Sequence, residues 1–200
     1  MKTWKKMLTA VLAAGLLMAG LALSGCSVKE EEVQEPSIYA DIEIQDYGTI
    51  TVALDEKAAP ATVENFVKLA EEGFYDGLTF HRIIAGFMMQ GGDPEGTGMG
   101  GAEENIVGEF AANGYENNIS HKRGVISMAR SQDYNSASSQ FFIMHADSAS
   151  LDGQYAAFGR VTKGLNVVDA VCQAAQPIDN NGTIPAEAQP VIVSVKIRRS

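Results

Sequence analysis

Residues 80–93, FHRIIAGFMMQGGD, place an arginine and a glutamine among aromatic and thioether side chains. Arg82 brings a cation with several N–H donors, and Gln90 brings an amide that donates and accepts hydrogen bonds. A strand buried in a core would exclude Arg82, whereas a strand facing solvent would exclude Phe87 and Met88. The stretch therefore favours a binding surface, on which a cation lies beside apolar side chains.

The other residues that could do chemistry show no pattern of a catalytic site. The serines, Ser127 among them, lack the flanking glycines of a nucleophile elbow, and nothing marks a Ser-His-Asp set. The glycine-rich residues 91–101 lack the Lys-Ser/Thr ending of a phosphate-binding loop, which favours a surface loop. The three histidines lie far apart and lack the spacing of metal ligands, so no metal is expected. They are His81, His121 and His145.

The elements around this surface follow from periodicity. Alternating residues predict a β-hairpin over 39–55 with Asp46 and Gly48 in its turn. An apolar stripe predicts a helix over 59–73, and a second helix is predicted over 164–174. Short apolar runs predict further strands at 78–84, 86–90, 125–129, 141–144, 156–161 and 190–197. Many short strands with two helices favour a largely antiparallel sheet, and the pattern leaves open a barrel or a sandwich.

Strand alternation separates the side chains of the opening stretch into two faces. Met88 and Gln90 share one face, Met89 takes the other, and Gly86 permits a kink that turns Phe87 toward Met88. Phe141 and Phe142 must also face opposite ways, so one of them points away from the core. An outward phenylalanine indicates a binding surface, although a sheet covered on both faces would explain the same pattern.

Four blocks of sequence resemble the cyclophilin-type peptidyl-prolyl cis-trans isomerases: PATVENFVKL, FHRIIAGFMMQGGDPEGTG, GVISMAR and SSQFFIMHADSASLDGQYAAFGRV. The resemblance covers residues 39–197. It implies a closed eight-stranded antiparallel β-barrel capped by two α-helices, with the active groove on the outside of the barrel wall. It also implies catalysed rotation about Xaa-Pro peptide bonds, which requires no nucleophile, metal, cofactor or general base.

The resemblance assigns roles to individual positions. Arg82 stands where the family has its catalytic arginine, Gln90 where a glutamine supports that arginine, and Phe87 where an aromatic residue lines the pocket. Other positions match residues of the substrate groove: Met88, Gly96, Ala129, Arg130, Gln140, Phe142, Leu151 and Tyr155.

Three positions depart from the best-known eukaryotic pattern. Arg130 replaces an asparagine whose contact is made through the backbone, so little loss is expected. Tyr155 replaces a histidine and keeps a ring at the pocket rim. Ser150 replaces a tryptophan, and this change predicts weak cyclosporin binding without loss of catalysis.

The N-terminus predicts export and lipidation. Residues 1–25 have the order of a signal peptide, with three lysines before an apolar run, and Leu23–Cys26 is similar to a bacterial lipobox that ends in a lipidated Cys26. An uncleaved membrane helix is the alternative. Residues 26–38 would form an acidic tether, followed by the domain at 39–197. Removal of the three lysines changes the formal net charge from −10 to −13, which argues against nucleic acid as a partner.

These features predict a lipid-anchored, monomeric enzyme on the extracytoplasmic side of the cell membrane. In a host with two membranes, the periplasmic face of the outer membrane is also possible. The expected substrates are proline-containing peptides and folding proteins of the secreted or cell-envelope class. A non-catalytic proline-peptide binding module and a general holdase remain as alternatives. Cys172 lies in an apolar pattern and is predicted to be a small buried side chain.

Overall fold

The computed structural model describes residues 37–200, so the predicted signal peptide, Cys26 and most of the tether lie outside the described residues. Within the described range, the chain is mainly β, with eight strands and two α-helices. In chain order these are β1 (Ile38–Ile44), β2 (Gly48–Leu54), α1 (Pro60–Glu71), β3 (Arg82–Ile84), β4 (Met88–Gly91), β5 (Val125–Met128), β6 (Phe141–Met144), β7 (Ala157–Lys163), α2 (Leu165–Ala174) and β8 (Ile192–Arg199).

The eight strands form one curled antiparallel sheet in the order β3-β4-β6-β5-β7-β2-β1-β8. The predicted hairpin is confirmed, because β1 pairs with β2 and Ile44 lies opposite Gly48. Asp46 in its turn adopts a φ of 65°, a left-handed conformation that Asp and Asn tolerate better than most residues. The sheet is therefore built from local hairpins joined to longer connections.

The prediction of a closed barrel is wrong, because the sheet is an open half-barrel with β3 and β8 at its edges. Residues 77–80 and 190–192 do exchange backbone hydrogen bonds, including Phe80 N to Pro190 O at 2.9 Å. Pro190 has no N–H to return, so a regular ladder cannot continue there. Along β3 itself the edge is covered by a loop, because Ile83 N–H donates to Gly182 O at 2.8 Å.

Both predicted helices are present. The apolar stripe of α1 is buried, and Phe66 lies within 5.1–5.6 Å, between ring centroids, of Tyr75, Phe141 and Phe158. Cys172 of α2 is a buried free cysteine, as predicted, and burial raises the pKa of its thiol to about 12. No helix within residues 37–200 has the length and apolarity to cross a bilayer.

The two faces of the sheet carry separate apolar clusters, as strand alternation predicted. Met89 and Phe141 belong to the main core, whereas Met88 and Phe142 belong to a second cluster on the other face. Partly buried side chains extend this second cluster, among them Phe87, Leu151 and Tyr155. The outer face of β4, β5 and β6 therefore carries the surface that the opening stretch predicted.

Candidate active site

The β3–β4 hairpin positions Arg82 opposite Gln90, since these two residues are direct partners in the strand register. Its turn depends on Gly86, whose φ of +81° suits glycine, and Phe87 N–H closes the turn on Ile84 O at 2.9 Å. The backbone N–H of His145 donates to Phe87 O at 2.9 Å and ties the turn to the end of β6. Phe87 is thereby held on the same side of the sheet as Met88.

Two acceptors hold the guanidinium of Arg82 in one orientation. Nη1 donates to Gln90 Oε1 at 3.1 Å, and Nε donates to the backbone carbonyl of Asn181 at 2.7 Å. Nη1 also lies 3.9 Å from Met88 Sδ. Partial burial lowers the pKa of Arg82, while Tyr155 and Asp179 act against this effect. Arginine stays charged at physiological pH, so the site presents an oriented cation.

A pocket of about 140 Å³ opens beside this cation. Its lining combines two guanidinium groups and one amide with aromatic and aliphatic side chains, which suits a small apolar group with a polar atom next to it. The lining residues are Arg82, Phe87, Met88, Gln90, Ala129, Arg130, Phe142, Leu151 and Tyr155. Each of these nine was predicted from the resemblance as a site residue.

The floor of the pocket is a buried aromatic stack. Phe142 is 5% exposed and meets Tyr155 edge to face, with ring centroids 5.7 Å apart. Behind it the imidazole of His121 stacks on Phe142 at 6.0 Å. The ring that faces the pocket is therefore supported from behind by a second ring.

Within the residues described, His121 also joins a Ser-His-Asp arrangement, which the sequence analysis did not predict. Its Nδ1 lies 3.0 Å from Asp152 Oδ1 and its Nε2 lies 3.1 Å from Ser127 Oγ. Ser127 and His121 are buried, and burial lowers the pKa of His121. A substrate carbonyl has no access to a buried hydroxyl, so this set supports the pocket floor and provides no nucleophile.

Arg130 contacts more than the sequence predicted. Its guanidinium lies 5.1, 4.9 and 4.7 Å from the ring centroids of Phe110, Tyr134 and Tyr155. Nε and Nη2 donate to Gln154 O at 3.1 and 2.9 Å, and Nη1 donates to Ser131 O at 2.8 Å. The side chain therefore braces the rim of the pocket, in addition to any backbone contact with a substrate.

Two predicted site residues lie outside the first pocket. Gln140 lines a neighbouring pocket of about 330 Å³ that shares Gln90, Ala129 and Arg130 with the first. Gly96 lines neither pocket, and its carbonyl accepts a hydrogen bond from Gln189 Nε2 at 2.9 Å.

Comparison with known proteins identifies the family. The family described as "Cyclophilin type peptidyl-prolyl cis-trans isomerase/CLD" matches residues 39–197. The chain belongs to the cyclophilin family. It is a peptidyl-prolyl cis-trans isomerase, which confirms both the family and the enzyme class predicted from its sequence.

Individual relatives agree with this assignment. A peptidyl-prolyl cis-trans isomerase of Helicobacter pylori strain J99 is 47% identical over 148 residues, which is 73% of this chain and 87% of the relative. Peptidyl-prolyl cis-trans isomerase B of Bacillus subtilis is 48% identical over 122 residues, 61% of this chain and 82% of the relative. A cyclophilin-type isomerase of Cryptosporidium parvum, solved with the dipeptide Ala-Pro, has a TM-score of 0.71 at 29% identity and covers 81% of this chain and 99% of its own.

The cyclophilin site contains contributors that sequence reasoning missed. Asn181 accepts the Arg82 hydrogen bond through its backbone carbonyl. Every residue has this group, so the residue type at position 181 does not predict the contact. The Asn-Asn-Gly at 180–182 predicts a turn but not the strand on which that turn docks. Within residues 37–200, no group of three or more His, Cys, Asp or Glu side chains could hold a metal ion.

Proposed function

We propose that this cyclophilin binds the proline ring of a peptide in the 140 Å³ pocket and uses Arg82 to stabilise the twisted Xaa-Pro bond. The observation that carries the proposal is the oriented guanidinium, held by Gln90 and Asn181 at the wall of a pocket that also offers aromatic and aliphatic side chains. The apolar lining would hold the ring through Phe87, Met88, Phe142, Leu151 and Tyr155.

The proposed mechanism acts on the electrons of the amide. Resonance gives the C–N bond partial double-bond character, which raises the rotation barrier to about 18–20 kcal/mol. As the bond twists, the lone pair of the prolyl nitrogen leaves that resonance and becomes a hydrogen-bond acceptor. An N–H of Arg82 directed at this nitrogen binds the twisted state better than either planar state. A barrier lower by about 7 kcal/mol corresponds to roughly 10⁵-fold acceleration.

Substrate mapping tests the location of the site. Titration of an Ala-Pro peptide into ¹⁵N-labelled protein is expected to shift the amide signals of the pocket residues, chiefly Phe87, Ala129 and Leu151. The Cryptosporidium parvum structure with the dipeptide Ala-Pro supports this choice of ligand. A separate groove of about 530 Å³ beside Asp76 and Lys196 provides an internal comparison. Shifts confined to that groove would place the peptide site elsewhere.

We further propose that the enzyme is a lipid-anchored monomer that assists folding of secreted or envelope proteins outside the cytoplasm. Leu23–Cys26 after an apolar run supports the anchor, and the acidic tether would hold the domain off the membrane surface. Proline-containing segments of folding proteins are the proposed substrates, because uncatalysed Xaa-Pro exchange takes tens of seconds or longer.

If Cys26 carries the lipid, replacing it should prevent the protein from incorporating labelled fatty acid. Cells that express the full chain are grown with labelled fatty acid, and the wild-type protein is expected to incorporate it. Cys26→Ser is expected to abolish incorporation and to change the processing of the signal peptide, because the acceptor thiol is absent. Cys172→Ser is the matched control, since the chain has two cysteines and Cys172 is buried. Normal processing with unchanged membrane retention in Cys26→Ser would contradict the anchor.

Cyclosporin is expected to bind weakly, because Ser150 removes a large aromatic surface and an indole N–H donor next to Leu151. In the structure Ser150 is exposed and its hydroxyl lies 3.2 Å from that of Ser148. Ser150→Trp is expected to tighten binding about tenfold, as measured by calorimetry. Ala149→Trp adds the same ring at the adjacent exposed position and is the control. Equal affinities of wild type and Ser150→Trp would remove this explanation.

A further inference from the structure

We propose that Gln140 is a positioning residue, which holds Arg82 in place through Gln90 and contributes no donor to the substrate. The inference rests on the proposed role of Arg82. Gln140 Oε1 accepts from Gln90 Nε2 at 2.9 Å, and Gln90 Oε1 accepts from Arg82 Nη1 at 3.1 Å. Two amides thus connect the glycine-rich loop to the cation.

The hydrogen bonds from Arg82 through Gln90 to Gln140 form a relay. At the end away from Arg82, Gln140 is hydrogen-bonded to the backbone of the glycine-rich loop. Gln140 Nε2 donates to Gly98 O at 3.1 Å and to Gly100 O at 2.7 Å. An amide nitrogen has two hydrogens, so both donors of Gln140 are used within the protein. A substrate carbonyl could therefore accept from Gln140 only by displacing one of these bonds. Gln90 Nε2 donates one hydrogen to Gln140 and keeps a second hydrogen for a substrate carbonyl.

The hydrogen-bond partners at the two ends of the relay fix the orientation of both side-chain amides. A cation at one end requires an acceptor, so Gln90 must turn its oxygen toward Arg82 and its nitrogen toward Gln140. The two carbonyls at the other end require donors, so Gln140 must turn its nitrogen toward Gly98 and Gly100. Both requirements are met together in one pair of amide orientations. A flip of the Gln90 amide would turn its nitrogen toward Arg82 and remove one of the two oxygen acceptors of the guanidinium. A flip of the Gln140 amide would turn its oxygen toward the carbonyls of Gly98 and Gly100.

The loop that carries the two carbonyls is itself held by a buried carboxylate. Asp93 is 1% exposed and accepts backbone N–H groups from Glu95 at 2.9 Å, Thr97 at 3.0 Å and Gly98 at 2.5 Å. At Gly100 a Cβ would clash with Asp93 Oδ1, so the close approach requires glycine. The anchor of Gln140 is therefore a fixed part of the fold.

Gln140→Glu tests the relay because it keeps the shape and changes one group. At pH 8 the introduced carboxylate still accepts from Gln90, but its other oxygen opposes the carbonyls of Gly98 and Gly100. At pH 5 the protonated form of the introduced carboxyl donates to one of them, because facing two carbonyls raises its pKa. We expect the rate of Ala-Pro exchange to fall about tenfold at pH 8 and to return within about threefold of wild type at pH 5.

Gln140→Met removes both hydrogen-bonding groups of residue 140 at every pH. Its exchange rate is expected to be about tenfold lower than that of the wild type at both pH values. Its comparison with Gln140→Glu cancels the effects of the native charged and titratable groups near position 140, which are Arg82, Arg130, His81, Asp93 and Glu95. Exchange NMR separates peptide affinity from exchange rate, and affinity is expected to stay within about twofold in both variants. Weaker affinity with an unchanged rate would show a substrate-binding role and overturn the proposal. A loss in Gln140→Glu that is equal at both pH values would overturn it as well.

A readout without substrate separates this inference from the proposed function. The Nη1–H resonance of Arg82, the group that donates to Gln90, is followed in the free protein between pH 5 and pH 8. It is expected to move with pH in Gln140→Glu and to stay fixed in Gln140→Met. A fixed resonance in both variants would overturn the relay, even if the wild type isomerises peptides. Absence of exchange by the wild type would instead refute the role of Arg82, while a moving resonance would still support the relay.

Discussion

Arg82→Ala is expected to lower the exchange rate of an Ala-Pro peptide about a hundredfold or more, because removal of one preorganised donor from a catalytic site costs this much. Affinity for the peptide is expected to stay within about threefold, since the apolar lining of the pocket remains. Exchange NMR measures both quantities in one sample. A loss confined to the rate would show that Arg82 acts mainly on the twisted state of the bond.

Arg82→Lys is expected to be nearly as poor. A lysine ammonium keeps the charge, but it is more strongly hydrated and lacks the planar fork that Gln90 and Asn181 hold from two sides. Arg160→Ala is the matched control, because Arg160 is an exposed arginine of β7. Near-native turnover in Arg82→Ala, with an intact fold, would falsify the proposed mechanism.

Much of the site could be predicted because strand geometry is local. Period-two alternation separates Met88 from Met89 and Phe141 from Phe142, and the structure places them on opposite faces. A glycine at position 86 permits the turn that brings Arg82 opposite Gln90. These relations involve residues only a few positions apart, so a short stretch of sequence is enough to predict them.

The remainder depends on contacts between distant segments. Asn181 lies 99 positions from Arg82 in the sequence and accepts its hydrogen bond through a backbone carbonyl. The identity of a side chain does not predict such a contact. Asp152 meets His121 from 31 positions away. The open edge of the sheet has the same origin, because the loop at Gly182 covers β3 and Pro190 interrupts the ladder toward β8. Local patterns predict strands and faces, but they do not predict where a long loop docks.

Glu109 shows how such a distant contact supports the fold. The residue before α1 is Ala59, which offers no side-chain cap to the unpaired N–H groups of the first turn. Glu109 supplies the missing acceptors: Oε1 accepts from Ala61 N at 3.0 Å, and Oε2 accepts from Thr62 N at 2.8 Å and Thr62 Oγ1 at 2.7 Å. A carboxylate at a helix N-terminus also interacts favourably with the helix dipole.

Glu109→Ala is therefore expected to lower the free energy of unfolding by about 3 kcal/mol, because it leaves buried N–H and O–H donors without acceptors. Glu109→Gln keeps one acceptor oxygen and is expected to lose about half as much. Urea unfolding of the two variants measures both values. Glu104→Ala is the control, since Glu104 is exposed and its ion pair with Lys68 spans 3.9 Å. A loss below about 1 kcal/mol in Glu109→Ala would mean that water satisfies the first turn of α1 as well as the carboxylate does.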